Sequence, residues 1–175
     1  LFLSSPWAIC ENTDPKMFKY LKENGVELIA YHPIIPWRKY FNISFRDHRK
    51  ILICDGKVAF IGGINIGKEY AGKKLKGDNW RDTHVKIEGP AVKDIQFFFL
   101  ENWVRNGGEV SNYVSQFPEL KNAGDKILMI LSNKSRRNIK PITESYLSAI
   151  NNAKKEIKIT NAYFIPDAKT FRALV

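Results

Sequence analysis

The chain has 175 residues, 44% of them hydrophobic and 13% aromatic, which is enough apolar material for a packed core and too much for a disordered chain. Lysine and arginine number 28 against 18 acidic residues, and the net charge of +10 suits an anionic partner. No run approaches the roughly 18 apolar residues that cross a bilayer, the first residues show neither an initiator Met nor a basic secretion-signal region, and two cysteines, Cys10 and Cys54, are too few for a disulfide framework or a Cys-based zinc site. Reduced thiols in a cytosol-facing compartment are the expectation.

Asp14-Pro15 supplies an N-cap and a first-turn proline, Met17, Phe18 and Leu21 follow at helical spacing, and Gly25 ends the pattern, so a helix is predicted over 15–24. A strand is expected over 26–31, then a long loop from His32 to about Arg46. Residues 49–62 are two apolar runs around Asp55-Gly56, a strong hairpin signal. Because both runs are apolar on both faces, they are expected at the centre of a sheet covered on each side, in an α/β sandwich, with Cys54 a small core residue. A Lys- and Gly-rich loop over 68–79, a strand over 83–88 and a helix over 91–105 complete the first part.

Residues 110–125 are polar and irregular and read as a linker. Beyond them the pattern restarts: strand 126–131, basic loop 132–140, helix 142–154, strand 156–161 and a helix opening at Pro166-Asp167. The expected organisation is a first catalytic half over 1–109 that lacks its opening strand, the linker, and the truncated start of a second half over 126–175.

The chemistry lies in His48-Arg49-Lys50, followed after four residues by Asp55 and then by Gly62-Gly63-Ile64-Asn65. With Asp55 and Gly56 as the two turn residues, Cys54 pairs with Lys57, Leu52 with Ala59, Lys50 with Ile61 and His48 with Gly63. His48 and Lys50 then share a face that Asn65 continues, and the glycine opposite His48 leaves a spot where a ligand can approach. An imidazole, an ammonium and an amide around an empty space suit a phosphodiester. The His attacks phosphorus or protonates the leaving oxygen, and Lys50 and Asn65 hold the non-bridging oxygens.

This pattern resembles the phospholipase D superfamily motif His-x-Lys-x4-Asp-x6-Gly-(Gly/Ser)-x-Asn. Arg46-Asp47, Gly62–Gly67, Trp80-Arg81-Asp82-Thr83-His84, Glu88–Val92 and Asn161–Asp167 extend the likeness to the bacterial cardiolipin synthase branch, from about residue 17 onward. The resemblance implies a phospholipase D-like α/β/α sandwich around a mixed β-sheet, here incomplete, in which two halves or a dimer mate each give one motif to a shared site. It also implies phosphatidyl transfer between phosphatidylglycerol molecules through a phosphohistidine, without metal or cofactor. Carried over, His48 is the nucleophile, Lys50 and Asn65 are phosphate ligands, and Asp82 is the carboxylate that orients the imidazole, with Asp78 and Glu69 behind it. Asp55 belongs to the motif and organises the turn. Arg46, Gly62, Gly63, Trp37 and Arg38 are the substrate-contact candidates. The implied partners are an anionic phospholipid and a membrane surface on the cytoplasmic side of a bacterium, with nucleic acid disfavoured and the piece itself soluble.

No second motif follows. His84-Val85-Lys86 starts like one, but Ala91 stands where the Asp belongs, so His84 reads as a strand residue near the site. The chain is therefore expected to be an excised piece, inactive without its other half. Hydrolysis of phospholipid is the alternative reaction, and a nuclease or a non-catalytic basic binding module are the more distant ones. Among the remaining features, Phe97–Leu100 reads as buried rather than membrane-inserted, and the 33–41 loop, with Trp37, Tyr40 and Phe41 among Arg38 and Lys39, is balanced between lipid contact and packing. Lys73, Lys74 and Lys76 read as solvated, and Lys134, Arg136, Arg137 and Lys140 are left open between solvation and binding of anionic headgroups.

Overall fold

The computed structural model describes residues 2–4, 14–31, 48–133, 140–161 and 163–175. They fall into two compact units, Leu1–Leu128 and Met129–Val175. In the first unit, strand β1 (Phe2–Ser4) pairs in parallel with β2 (Ile29–Tyr31), and helix α1 (Pro15–Glu23) lies between them in sequence. The Asp14 carboxylate accepts from the Lys16 N–H at 2.9 Å, and Gly25 at φ +79° closes the helix in the left-handed region that glycine takes without strain. β1 carries no sequence signal, because three residues are too few to show alternation.

The sheet that matters for chemistry has the order β3 (Lys50–Cys54), β4 (Val58–Gly62), β5 (His84–Glu88), all antiparallel. Asp55 (φ 54°) and Gly56 (φ 64°) are both left-handed, and the Lys57 N–H donates to the Cys54 carbonyl at 2.9 Å, so the Asp-Gly turn forms as expected. The ladder beyond it is shifted by one residue from the predicted pairing: Cys54 faces Val58, Leu52 faces Phe60 and Lys50 faces Gly62. Lys57 is an extra residue on the second strand. Core formation explains the shift. The observed register aligns Ile51, Ile61 and Val85, and then Ile53, Ala59 and Ile87, on one face, whereas the predicted one sets Ala59 beside Leu52 on the Lys50 face.

Helix α2 (Val92–Arg105) packs against β3 and β4, and the core consists of Ala59, Ile87, Val92, Ile95, Leu100 and Trp103. Cover on both sheet faces, as the apolar strands suggest, is not found among the described residues: Leu52 is 56% exposed on the opposite face. Cys54 shares that face and is exposed, which corrects its expected place in the core. Of the Phe97–Leu100 run, Leu100 is buried, Phe99 stacks on Trp103 at 6.2 Å, and only Phe97 is counted among the exposed large hydrophobic residues. Residues 110–125 are irregular apart from a 3-10 turn at Val114–Gln116, and they lie on the first unit. A side chain at Gly56 would meet the Gln116 carbonyl at 2.9 Å, and the Trp103 indole N–H donates to the Glu109 carbonyl at 3.1 Å.

The second unit contains α3 (Pro141–Asn152) and α4 (Ala168–Leu174), which touch each other. Asp167 caps α4 by accepting from the Thr170 N–H at 2.8 Å, and this bond holds its carboxyl below the usual carboxylate range. Residues 126–131 and 156–161 form no strand, contrary to expectation. Among the described residues they have no ladder partner, and Ile127 and Met129 stand exposed. The architecture is mixed α/β, with one parallel pair, one antiparallel three-stranded sheet and four helices among the described residues.

Ile95 is fully buried in α2 and Phe97 is 48% exposed. Ile95→Ala should lower the unfolding free energy in urea by about 2–5 kcal/mol. Phe97→Ala should lower it by under about 1 kcal/mol. The reverse order would mean that α2 buries a different face.

Candidate functional site

An antiparallel three-strand ladder brings the start of β3, the end of β4 and the start of β5 to one edge of the sheet. At that edge stand His48 and Lys50, then Gly62, Gly63 and Asn65, then Asp82 and His84. Lys50 is level with Gly62, and Gly62 is level with His84. Asp55 sits at the other end of the hairpin, a five-residue strand away, about 17 Å of extended chain. Four of the five expected catalytic residues lie toward this end of the sheet and the turn aspartate does not. The one-residue shift sets Gly62 on the Lys50 face, so, contrary to expectation, Gly63 does not stand opposite His48 and the ladder does not place Asn65 on the face of His48 and Lys50. Arg46, Trp37 and Arg38 lie outside the described residues.

The glycines behave differently from expectation. The Gly63 N–H donates to the Thr83 carbonyl at 3.1 Å, carrying the strand contact one residue beyond β4. A Cβ added to Gly63 would overlap the Asp82 carboxylate, and one added to Gly62 would overlap the Thr83 carbonyl and crowd the His84 ring. The space over Gly63, expected to be open to a ligand, is filled by the Asp82 carboxylate. Two residues without side chains let β5 and the segment before it come down on the end of β4, and this approach brings a carboxylate to the motif. Asp82 lies against Gly63 at this edge, with its Oδ1 accepting from the Thr83 N–H at 2.6 Å. Glu69 and Asp78 are held in the loop between β4 and β5.

The Lys50 ammonium donates to the His48 carbonyl at 2.8 Å. This bond ties the two motif residues together at the start of β3, and among the described residues no carboxylate pairs with Lys50. His48 is exposed, and Asn65 is half-buried on the bend that follows β4. β4 ends at Gly62, so Asn65 is carried by that bend and not by the ladder. The Nδ1 atom of His84 is buried without a hydrogen-bond partner. Its neighbour on the strand, Lys86, pairs with the Glu88 carboxylate at 3.1 Å, whereas the Lys50 ammonium bonds the His48 carbonyl. The one sequence signal that ties His84 to the site is its position two residues after Asp82.

Among the described residues no group of three His, Cys, Asp or Glu side chains is arranged to hold a metal ion, and no helix is long and apolar enough to cross a membrane. An open groove of about 510 Å³ belongs to the second unit, lined by Lys154, Lys155 and Glu156 among aliphatic residues, and it contains none of the motif residues.

No family model and no solved structure matches the chain. Curated proteins do. The chain is 41% identical to a cardiolipin synthase of Halalkalibacterium halodurans over 160 residues, 41% identical to one of Clostridium perfringens over 162, and 37% identical to cardiolipin synthase 1 of Bacillus cereus over 163. Each alignment covers 88% of this chain and 31 to 34% of the relative, so the chain spans about a third of the length of the curated proteins it matches. With the motif edge assembled as above, the chain is similar along nearly all of its own length to about a third of the length of cardiolipin synthases.

Proposed function

We propose that the whole protein transfers a phosphatidyl group from one phosphatidylglycerol to a hydroxyl of another, at a site whose first half is the His48 edge of the β3–β4–β5 sheet. The observation that supports this most is the gathering of His48, Lys50, Gly63 and Asp82 at one sheet edge in a chain up to 41% identical to cardiolipin synthases. The finer fold we propose is the phospholipase D-like sandwich, with a second half or a dimer mate supplying the second motif. The site works on anionic phospholipid at the cytoplasmic membrane surface, with Arg46, Trp37 and Arg38 as further substrate contacts.

In the first step an imidazole nitrogen of His48 attacks phosphorus, and the bond from phosphorus to the headgroup glycerol oxygen breaks. That oxygen takes a proton from the acid of the second half, and glycerol leaves. In the second step a hydroxyl of another phosphatidylglycerol gives its proton to the same group while its oxygen displaces the imidazole, forming cardiolipin. Lys50 has three N–H donors and spends one on the His48 carbonyl, so two remain for phosphate oxygens that gain charge in the transition state. Asn65 adds an amide donor. Asp82 orients the His48 ring, and Gly63 keeps room for that carboxylate.

Full-length protein incubated with labelled phosphatidylglycerol should yield labelled cardiolipin, and His48→Ala should lower the rate by about a thousandfold or more. Phosphatidic acid as the product would establish hydrolysis instead, and cleavage of DNA with no lipid product would point to a nuclease. The role of Gly63 has its own signature. Gly63→Ala pushes a methyl group into the place of the Asp82 carboxylate, so kcat should fall about as far as in Asp82→Asn, with little change in KM. Adding Gly63→Ala to Asp82→Asn should produce almost no further loss. Full additivity would show that the two residues act separately.

A further inference from the structure

Between Asn65 and Asp82 the chain leaves the sheet edge and returns to it, and the excursion is tied to itself. The Asp78 N–H donates to the Lys68 carbonyl at 3.3 Å and the Trp80 N–H to the Glu69 carbonyl at 2.8 Å, while short 3-10 turns form at Lys68–Tyr70 and Lys73–Leu75. The Tyr70 and Trp80 rings meet edge to face at 6.0 Å. Gly77 lies so close to the Ala71 and Lys68 carbonyls that no side chain fits there. The loop therefore has a defined shape.

Its lysines are exposed, as composition suggests, and large apolar side chains are exposed beside them. Ile66 is 100% exposed, Leu75 76% and Trp80 61%, and they are interleaved with exposed Lys68, Lys73, Lys74 and Lys76. Single exposed apolar side chains are ordinary; three large ones among four lysines on one tied loop are not. Apolar tips for the acyl boundary, Trp and Tyr rings for the headgroup level and ammonium groups for lipid phosphates are the parts of an interfacial anchor.

We infer that the 66–80 loop is the surface by which this protein docks on an anionic phospholipid bilayer. Docking there sets lipid headgroups beside the sheet edge that holds His48 and Lys50, because the loop starts and ends at that edge. A second copy is a poorer occupant, since this face would meet the same lysines on a chain of net charge +10. A nucleic acid would satisfy the lysines and leave Ile66 and Leu75 unexplained. The choice of a bilayer rests on the lipid reading of the neighbouring site, but the binding measurement involves no turnover, so the two readings fail separately.

The test is sedimentation of the chain with vesicles of equal parts phosphatidylglycerol and phosphatidylcholine, against vesicles of phosphatidylcholine alone. Wild type should bind the anionic vesicles about tenfold or more tighter, with affinity falling as salt rises. Ile66→Ser with Leu75→Ser should weaken that binding about tenfold, and Lys73→Glu with Lys74→Glu and Lys76→Glu should abolish the preference for anionic lipid. Brominated acyl chains should quench tryptophan fluorescence in wild type and much less in Trp80→Phe. Unchanged thermal unfolding of each variant shows that the fold is retained, and His48→Ala should bind like wild type. Loop variants that bind anionic vesicles as tightly as wild type would overturn the inference. Variants that lose affinity for a DNA duplex while holding vesicles normally would also overturn it, in favour of a nucleic-acid surface. Normal docking by a full-length protein that transfers no phosphatidyl group would refute the catalytic reading alone.

Discussion

The motif edge depends on how closely one strand can approach another at Gly62 and Gly63. The Thr83 carbonyl and the His84 ring lie where a side chain on Gly62 would go, and the Asp82 carboxylate lies where one on Gly63 would go. Backbone on one side and functional groups on the other meet without an intervening Cβ. The hydrogen bond from Gly63 to Thr83 then fixes the distance. Glycine is required here for space, and neither residue sits at a positive φ.

From that approach the rest follows. β5 pairs along β4 only in the register that sets His84 level with Gly62, which also lines up Ile87 with Ala59 under α2. Core packing on one face thus sets where Asp82 stands on the motif edge. The Lys50 bond to the His48 carbonyl ties the two motif residues together at the start of β3. Similarity to cardiolipin synthases connects this arrangement to the chemistry proposed for it, and the tied loop between β4 and β5 starts and ends at the same edge.

Much of this was legible in the sequence, for identifiable reasons. His48, Lys50, Gly63 and Asn65 stand at fixed spacing, and Asp-Gly turn chemistry predicted the hairpin that brings both ends together. Asp82 was nominated on resemblance, and the overlap with Gly63 is a physical fact that no spacing reveals. The one-residue shift was illegible because Lys57 looks like any strand residue, and tertiary packing decided the pairing. Cys54 was misplaced for a related reason: an apolar run does not say which of its faces a single helix will cover. The runs at 126–131 and 156–161 have strand composition, but a strand needs a partner, and none pairs with either among the described residues. The lysines of the 66–80 loop are exposed as expected, but sequence alone does not show which of its apolar residues stay outside with them.

The most direct test of the central claim is to find where a covalent phosphatidyl group resides. Full-length protein quenched during turnover of phosphatidylglycerol labelled at phosphorus should carry an acid-labile, alkali-stable label, and peptide mapping should place it on His48. The same label on another histidine, with His48→Ala still labelled at the wild-type level, would contradict the account and leave the glycine-built edge without the role assigned to it.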